Sequence, residues 1–394
     1  MKIGFVIPWF GPEIPGGAES LCRATAKRLK AAGAEVEILT TCIQEFASDW
    51  NVNFHKSGVE DYAGIPVRRF KVRKRDTSAF DRVNRRLMSD LPMNDEQERT
   101  FIREMVRSDE LIQYMERHRD EYVYALLPYM FGTTYYGVKA CPDRSVLIPC
   151  LHDESYAYMK IFGAMSESAR GLIFNAKPER DLAVELYSLP PQNCVIAGVG
   201  VDTEFQFDGA RFKAKHGLDR YVLYAGRKDE GKNVGQLVDY FCRYKRIYGG
   251  DLKLVLIGNG TVAVPPEHVG KDVVDFGFVS SQEKYDAYAG AMVLCQPSRV
   301  ESFSIVMMEA WLAGAPVLVH EECEVTRDHC VSSQGGLWFS SFSDFSGALR
   351  FFSDHPELGR KMAENGAEYV RANFAWDRVV AKYLGAFRGW GFAV

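Results

Sequence analysis

Two successive series of strand, loop and helix restrict the fold of this sequence more than any other feature. The first series predicts strands at 3–8 and 35–41 around a helix at about 18–32, and strand patterns return at 145–150 and 171–175. Short apolar strands that alternate with helices are typical of a parallel sheet. This part of the chain is therefore predicted to form a doubly wound α/β domain.

The second series is of similar size and joins the first near 195–208. Together they predict two facing Rossmann-like domains with a cleft between them. Ligands of such sheets bind beyond the carboxyl ends of the strands, so we search the loops there for chemistry. The predicted strands of the second series are 221–225, 253–257, 273–276, 292–296 and 316–319, and its predicted helices are 235–248, 281–289 and 304–313.

The predicted domain boundary falls between residues 197 and 198. Residues 1–197 would form the N-terminal domain, completed by an aromatic, amphipathic helix at 376–394, and residues 198–375 would form the C-terminal domain. A charged, helix-prone stretch at about 76–125 predicts a helical insertion in the first domain. A chain of 394 residues is long enough to bury two cores.

Composition excludes several classes of protein. The chain is 47% hydrophobic and 25% charged, which is typical of globular proteins, and its net charge of −4 gives no general attraction to nucleic acid. We find no apolar run long enough to span a membrane and no signal peptide at the N-terminus. The nine cysteines are scattered, as expected for reduced thiols. We therefore expect a cytoplasmic protein.

The strongest motif contains two glutamates. Glu301 lies just before a predicted helix, and Glu309 lies within it. The first turn of that helix would offer free N–H groups and a positive dipole end to a diphosphate, near Ser302, Phe303, Ser304 and Ile305. Glu309 lies in an otherwise apolar helix, where a carboxylate needs donors, and a ribose diol supplies two. Each glutamate alone would suggest a solvated surface residue, but the pair favours a nucleotide site.

The pair and its surroundings resemble the retaining GT-B glycosyltransferases of family 4, whose hallmark is two glutamates separated by seven residues. Other segments follow in the family order: Gly226–Arg227 with Lys232, the strand and glycine loop at 254–260, which includes Gly258, and the segments 276–279 and 291–298. The run Pro15-Gly-Gly-Ala-Glu19 resembles the family's N-terminal glycine loop, and 199–202 resembles its hinge. The likeness covers most of residues 1–20 and 145–390 and is weak over 43–125.

The resemblance implies a sugar transfer from a nucleoside diphosphate donor with retention at the anomeric carbon. Arg227 and Lys232 would stabilise the departing diphosphate, Glu301 would orient the sugar hydroxyls, and Glu309 would anchor the ribose. Two converging cations can do work that a divalent metal does elsewhere, although solvated loop charges are the simpler interpretation of either residue alone. We expect no metal and no cofactor beyond a UDP-, GDP- or ADP-sugar donor.

Three residues of the first domain are candidates for the donor side of the reaction. Gly16 and Gly17 permit close approach of backbone to a phosphate or sugar, although a plain turn explains them equally well. Their spacing is not that of a dinucleotide-binding loop. His152 follows the strand at 145–150, and the resemblance implies that it reaches the transferred sugar, whereas a lone histidine is more often structural.

A basic cluster at 68–75 carries six cationic residues in eight positions. One interpretation is a charged edge strand. The other is an acceptor site that includes Arg69 and Arg73 and binds a phosphate-bearing, lipid-linked acceptor or an anionic membrane surface. Tyr129 would line the acceptor side or pack in the core. Peripheral contact with the inner face of the membrane follows from the second interpretation.

The sequence leaves rival functions open. A non-catalytic sugar-nucleotide-binding protein could share the fold, as could a sugar-nucleotide epimerase, while a phosphorylase would need a pyridoxal phosphate lysine that we cannot identify. The donor base, the sugar and the acceptor stay undetermined. The resemblance favours assembly of an exopolysaccharide or another cell-envelope glycan.

Overall fold

The computed structural model describes residues 1–14 and 16–394. Pro15, the first residue of the glycine loop quoted above, lies outside the described residues. The chain divides into two compact units, of which unit 1 comprises Met1–Gly200 with Val379–Val394 and unit 2 comprises Val201–Arg378. Each unit contains its own sheet, so the predicted class, α/β with two Rossmann-like doubly wound domains, is confirmed.

Unit 1 is built on an eight-stranded sheet in the order β3-β4-β2-β1-β5-β6-β7-β8. All neighbouring strands are parallel except β3 and β4, and Ile3 of the central strand β1 lies opposite Val36 of β2. The strands are β1 (Lys2–Val6), β2 (Val36–Thr41), β3 (Gly58–Tyr62), β4 (Ile65–Phe70), β5 (Tyr122–Leu126), β6 (Ser145–Leu147), β7 (Gly171–Phe174) and β8 (Cys194–Ile196).

Helices of unit 1 cover the sheet and add a helical layer between β4 and β5. Asp76, Asn94 and Ser108 cap the three helices of that layer with their side chains, which satisfies N–H groups at each helix start. The helices are α1 (Gly17–Ala31), α2 (Thr77–Leu87), α3 (Asp95–Glu104), α4 (Asp109–Arg117), α5 (Gly132–Ala140), α6 (Lys160–Ser168) and α7 (Lys177–Leu186).

Three helices, α2, α3 and α4, occupy most of the predicted insertion at about 76–125, but its last residues form a strand. Residues Tyr122–Leu126 form β5, which pairs with β1 on one side and β6 on the other, and all five are buried. A strand covered on both faces shows no alternation of apolar and polar residues, and this one directly follows charged helices. The insertion therefore comprises α2, α3 and α4.

The basic cluster at 68–75 is not an edge strand, and this correction has a structural reason. Its first part lies in β4, which pairs with β2 and β3, so the edge belongs to β3. Arg69 is only 4% exposed, forms an ion pair with Glu60 at 2.6 Å and donates to the carbonyl oxygen of Phe10 at 2.8 Å. Arg73 pairs with Glu104 at 3.1 Å. These charges are neutralised within unit 1.

Unit 2 contains a fully parallel six-stranded sheet in the order β11-β10-β9-β12-β13-β14. Strands predicted for the second series are all present, whereas the last strand of the sheet was not predicted. The strands are β9 (Tyr221–Ala225), β10 (Lys253–Ile257), β11 (Val273–Asp275), β12 (Val293–Gln296), β13 (Val317–His320) and β14 (Gly336–Phe339).

The strand order of unit 2 reverses at its centre. The chain moves outward from β9 to β11 and then returns to place β12 on the other side of β9. This reversal opens a crevice at the carboxyl ends of β9 and β12, where ligands of open α/β sheets bind. The helices of the unit are α8 (Gly209–His216), α9 (Val234–Tyr248), α10 (Ser281–Gly290), α11 (Ile305–Leu312), α12 (Glu324–Ser333), α13 (Phe342–Asp354) and α14 (Pro356–Asn373).

The last helix, α15 (Trp376–Gly389), begins in unit 2 and ends in unit 1. Its Val379, Tyr383 and Phe387 are buried, in agreement with the amphipathic pattern of the sequence. None of the helices within residues 1–14 and 16–394 has the length and apolar character to cross a lipid bilayer.

The internal pairing of Arg69 gives a prediction about stability. Arg69→Met would leave the carbonyl oxygen of Phe10 without its buried donor, so the free energy of unfolding of unit 1 should fall by about 2–4 kcal/mol. Urea denaturation of the full chain measures this change. Lys74→Met, which changes an exposed lysine of the same cluster, is the control and should leave the midpoint unchanged. Equal midpoints for both variants would contradict a structural role for Arg69.

Candidate functional site

The loops that follow β9 and β10 in unit 2 touch through their backbones. A Cβ atom at Gly258, where φ is 120°, would lie 2.0 Å from the carbonyl oxygen of Gly226. The N–H of Gly258 donates to the carbonyl of Gly277, and that of Lys228 donates to the carbonyl of Asn259, both at 2.7 Å. Only glycine fits at position 258, because any side chain would separate the two loops.

Two adjacent cations at the end of β9 have opposite environments. The side chain of Lys228 is fully buried, where it pairs with Asp275 at 2.8 Å and donates to the carbonyl oxygen of Gly258. The side chain of Arg227 is 72% exposed, with Asp229 at 3.5 Å. Lys228 therefore holds the glycine loop, a role that sequence reasoning missed, and Arg227 stays accessible from solvent.

The central contact of the site is an ion pair between two predicted catalytic residues. The ammonium of Lys232 lies 2.6 Å from Oε1 of Glu301, and Nε2 of Gln296 donates to the same oxygen at 3.0 Å. Lys232 follows β9, while Gln296 ends β12, so the pair stands at the reversal of strand order. The structure thus brings Lys232 and Glu301 together with Gln296, which sequence reasoning did not single out.

The helix that follows Glu301 begins at Ile305, one residue after the predicted start at 304. Ser304, with φ of 69°, precedes the first residue of α11, Ile305, so Ser302 and Phe303 lie in the loop before it. Phe303 is buried against the rings of His329 and Phe374, with ring centroids 5.1 and 4.8 Å apart. Its side chain belongs to the core, so only its backbone can face a ligand.

Glu309 already has two donors within unit 2. Its carboxylate is buried and accepts from the ammonium of Lys284 at 2.8 Å and from the hydroxyl of Tyr288 at 3.0 Å. Burial and the nearby Glu309 raise the pKa of Tyr288 well above its ordinary value, so its hydroxyl keeps the proton that it donates. Lys284 and Tyr288 stand four residues apart on α10, a spacing that places them on one helix face.

Gly16 and Gly17 open α1 in unit 1 and differ in how much a side chain would disturb them. A Cβ atom at Gly16, where φ is 142°, would lie 1.8 Å from a carboxylate oxygen of Glu19, whereas one at Gly17 would meet nothing within 4 Å. Glu19 is buried and accepts from the indole N–H of Trp9, and burial raises the pKa of its carboxyl. The glycine at position 16 is therefore required by its own helix start.

His152 lies after β6 in unit 1, in a segment held by a buried carboxylate. Glu179 accepts from the N–H groups of Leu151 at 2.8 Å and Asn175 at 2.6 Å, and burial raises its pKa to about 7. These bonds join the ends of β6 and β7 next to His152. Sequence reasoning missed Glu179, whose signal was an acidic residue in the first turn of α7.

Tyr129 does not line an open surface of unit 1. Its ring is buried against Phe162, and its hydroxyl donates to Oε1 of Glu154 at 2.8 Å. The core interpretation of this residue is correct.

Across residues 1–14 and 16–394, no three side chains of the His, Cys, Asp or Glu type are grouped so that they could hold a metal ion.

Comparison with known proteins finds a family model that matches most of unit 2. Residues 206–369 match the family model for glycosyl transferases group 1. This range contains Arg227, Lys232, Glu301 and Glu309, which lie in the loops and helices described above.

A curated relative and two solved structures extend the likeness to the rest of the chain. The relative is N-acetylgalactosamine-N,N'-diacetylbacillosaminyl-diphospho-undecaprenol 4-alpha-N-acetylgalactosaminyltransferase of Campylobacter jejuni, 25% identical over 280 residues, which are 68% of this chain and 73% of that protein. Several D-inositol 3-phosphate glycosyltransferases also match, and the chain spans 53% to 58% of their length.

The solved structures have low identity and similar folds. Sucrose-phosphate synthase from Thermosynechococcus elongatus has a TM-score of 0.71 at 16% identity over 98% of both chains. HepE of Anabaena, solved in complex with UDP-glucose, has a TM-score of 0.65 at 14% identity over 98% of this chain and 100% of that chain. These neighbours are GT-B glycosyltransferases, so the predicted GT-B fold is confirmed.

The contact between the two glycine loops gives a prediction about unit 2. Gly258→Ala should lower the free energy of unfolding by about 2–4 kcal/mol, because the new methyl group meets a backbone oxygen at a positive φ. Thermal denaturation measures this loss. Gly235→Ala is the matched control: its site on α9 is open, and alanine favours a helix, so its melting temperature should stay equal or rise. A Gly258→Ala protein as stable as this control would argue against the close contact.

Proposed function

We propose, from the premise that residues 206–369 form a glycosyl transferases group 1 domain in a chain of GT-B fold, that this protein transfers a sugar from a nucleoside diphosphate to an acceptor hydroxyl with retention and without a metal. The family model and the relatives support a glycosyltransferase activity. Retention, metal independence and the residue roles are our proposals.

The observation that carries the proposal is the ion pair of Lys232 with Glu301 at the strand reversal of unit 2. A lysine ammonium has three donors, so Lys232 can keep one hydrogen bond to Glu301 and direct another to a phosphate oxygen. Arg227 brings a second, exposed cation to the same loop as Lys232. Two cations beside a developing diphosphate charge supply the stabilisation that the transfer needs.

Glu301 and Glu309 would hold the two ends of the donor. Glu301 accepts two hydrogen bonds at one oxygen, which leaves its other oxygen for donor sugar hydroxyls. The carboxylate of Glu309 retains lone pairs beyond those used by Lys284 and Tyr288, so it can also accept from a ribose diol. The backbone of 302–305 and the Gly258 loop would lie along the diphosphate.

The proposed reaction exchanges one glycosidic bond and moves one proton. The bond between the anomeric carbon and the diphosphate oxygen breaks, and the acceptor oxygen attacks the anomeric carbon on the same face. The acceptor proton passes to a phosphate oxygen of the departing nucleoside diphosphate. His152 would stabilise the positive charge that develops on the sugar, and Gly16 and Gly17 would let the start of α1 approach the donor.

Relatives suggest the partners of the reaction. HepE binds UDP-glucose, and the name of the Campylobacter protein describes an undecaprenol-linked acceptor. We propose a nucleotide-sugar donor, UDP-linked in the first instance, and an acceptor from glycan assembly, in a cytoplasmic protein that does not bind nucleic acid. The internal pairing of Arg69 and Arg73 removes these residues as support for an acceptor or membrane site in the basic cluster.

Substitution of Lys232 tests the mechanism. Lys232→Ala should reduce kcat by about 10²-fold or more, the magnitude expected for one lost transition-state charge partner. Release of UDP from UDP-sugars measures this rate. Lys361→Ala, at an exposed lysine of α14, is the control and should retain full turnover. Equal rates for the two variants would remove Lys232 from the mechanism.

Three further measurements decide the finer parts of the proposal. Thermal shifts with UDP, GDP and ADP identify the donor base, and NMR of the product's anomeric proton tests retention. Full activity after exhaustive chelation is expected if the two cations suffice. A protein that binds nucleotide but shows neither sugar transfer nor slow hydrolysis of the donor would instead support the rival function of a non-catalytic sugar-nucleotide-binding protein.

A further inference from the structure

A cavity of about 770 Å³ lies in unit 1 between the helical insertion and the segment after His152. One wall is the turn from α2 to α3, with Met88, Leu91 and Met93, and the other wall is the segment 153–160. The volume is within the range of sites for small ligands, about 300–1,000 Å³. The insertion, where the resemblance to the family is weak, thus contributes half of a cavity next to a candidate catalytic residue.

The two walls are joined by hydrogen bonds, so the cavity is formed before any ligand binds. The hydroxyl of Ser155 donates to Asp90 at 2.6 Å, and that of Tyr156 donates to Asn84 at 3.0 Å. Glu98 of α3 accepts from the N–H groups at the start of α6, those of Lys160 at 3.3 Å and Ile161 at 3.2 Å. A preformed site loses little conformational freedom when it binds.

Three large apolar side chains on the lining are unusually open to water. Met88 is 50% exposed, Leu91 is 47% exposed and Tyr158 is 60% exposed. Exposed apolar groups that meet in one concavity mark a surface that a ligand covers. The aromatic ring of Tyr158 offers a flat face, and its hydroxyl is already held by Asp153 at 2.7 Å.

The charged side chains on the lining are mostly acidic. They comprise the four carboxylates of Asp90, Glu98, Asp153 and Glu154 and the single ammonium of Lys160, which pairs with Asp95 at 3.2 Å. Carboxylates accept hydrogen bonds and cannot donate them when ionised, so they match hydroxyl groups and repel phosphates. The cavity therefore combines an apolar face with acceptors, the complement of a pyranose ring.

We propose that this cavity is the acceptor subsite and that it selects an uncharged sugar or polyol, with the apolar face of the ring on Tyr158 and Met88 and its hydroxyls donating to the carboxylates. This inference rests on the proposed glycosyl transfer and names the substrate class of its acceptor side. It replaces the basic cluster at 68–75 as the acceptor site, since a phosphate group would be repelled here.

The first test separates the cavity from the rest of unit 1. Tyr158→Ala should raise the KM for neutral methyl hexosides by about tenfold, because the stacking face is lost. Phe54→Ala is the matched control: Phe54 is also 60% exposed in unit 1 but does not line the cavity, so KM should stay unchanged. The UDP-induced thermal shift of both variants reports whether the donor side is intact.

A second test addresses the charge of the acceptor. The protein should prefer methyl hexosides to hexose 6-phosphates, and Asp90→Asn should reduce that preference by about three- to tenfold, since one carboxylate charge is removed. Asparagine tolerates the positive φ of 53° at this position, so the turn should keep its shape. A preference for the phosphorylated sugars would overturn the inference.

Binding measured without turnover distinguishes failure of this inference from failure of the proposed function. Saturation-transfer NMR should detect methyl hexosides on the full chain, and Tyr158→Ala should abolish the signal whereas Phe54→Ala should not. If donor turnover is absent while this pattern holds, the proposed transfer is wrong and the sugar site stands. If donor turnover is present while Tyr158→Ala changes neither KM nor the NMR signal, the sugar site is wrong.

Discussion

The reversal of strand order between β9 and β12 is the constraint on which the site in unit 2 depends. It places the ends of two neighbouring strands side by side, so that residues 69 positions apart in sequence, Lys232 and Glu301, meet at 2.6 Å. The glycine contact between positions 226 and 258 keeps the next loop pressed against the first. Apart from a few glycines, the site needs no unusual backbone conformation, because the strand order already brings these side chains together.

Three of the buried charges in this protein are held in ion pairs whose members come from different elements. Lys228 with Asp275 and Glu309 with Lys284 hold unit 2, and Arg69 with Glu60 holds unit 1. A buried ion left alone would be costly, and each pair also fixes the relative position of the elements that carry it. The same chemistry thus serves two purposes, since paired groups shape the site while Arg227 beside them stays open to solvent.

The sequence predicted the sheet of unit 2 well and the environment of individual charges poorly. The predicted strands 221–225 and 253–257 have the same limits in the structure. Short apolar runs bounded by turn residues indicate such buried strands directly. Periodicity does not report partners, so the pairing of Arg69 with Glu60, the buried Lys228 and the role of Glu179 could not be predicted. β5 was missed because a strand buried on both faces resembles any short apolar segment.

The helices α2 and α3 are fastened to the segment 153–160 by side-chain hydrogen bonds such as Asp90 with Ser155, and they add no strand to the sheet. Replacing them would therefore leave the strand ladder of unit 1 unbroken. Under the proposed acceptor role, a change in this stretch would alter which molecule receives the sugar and would leave the contact of Lys232 with Glu301 in place. Acceptor choice would then be set by surface helices, apart from the strands of either sheet.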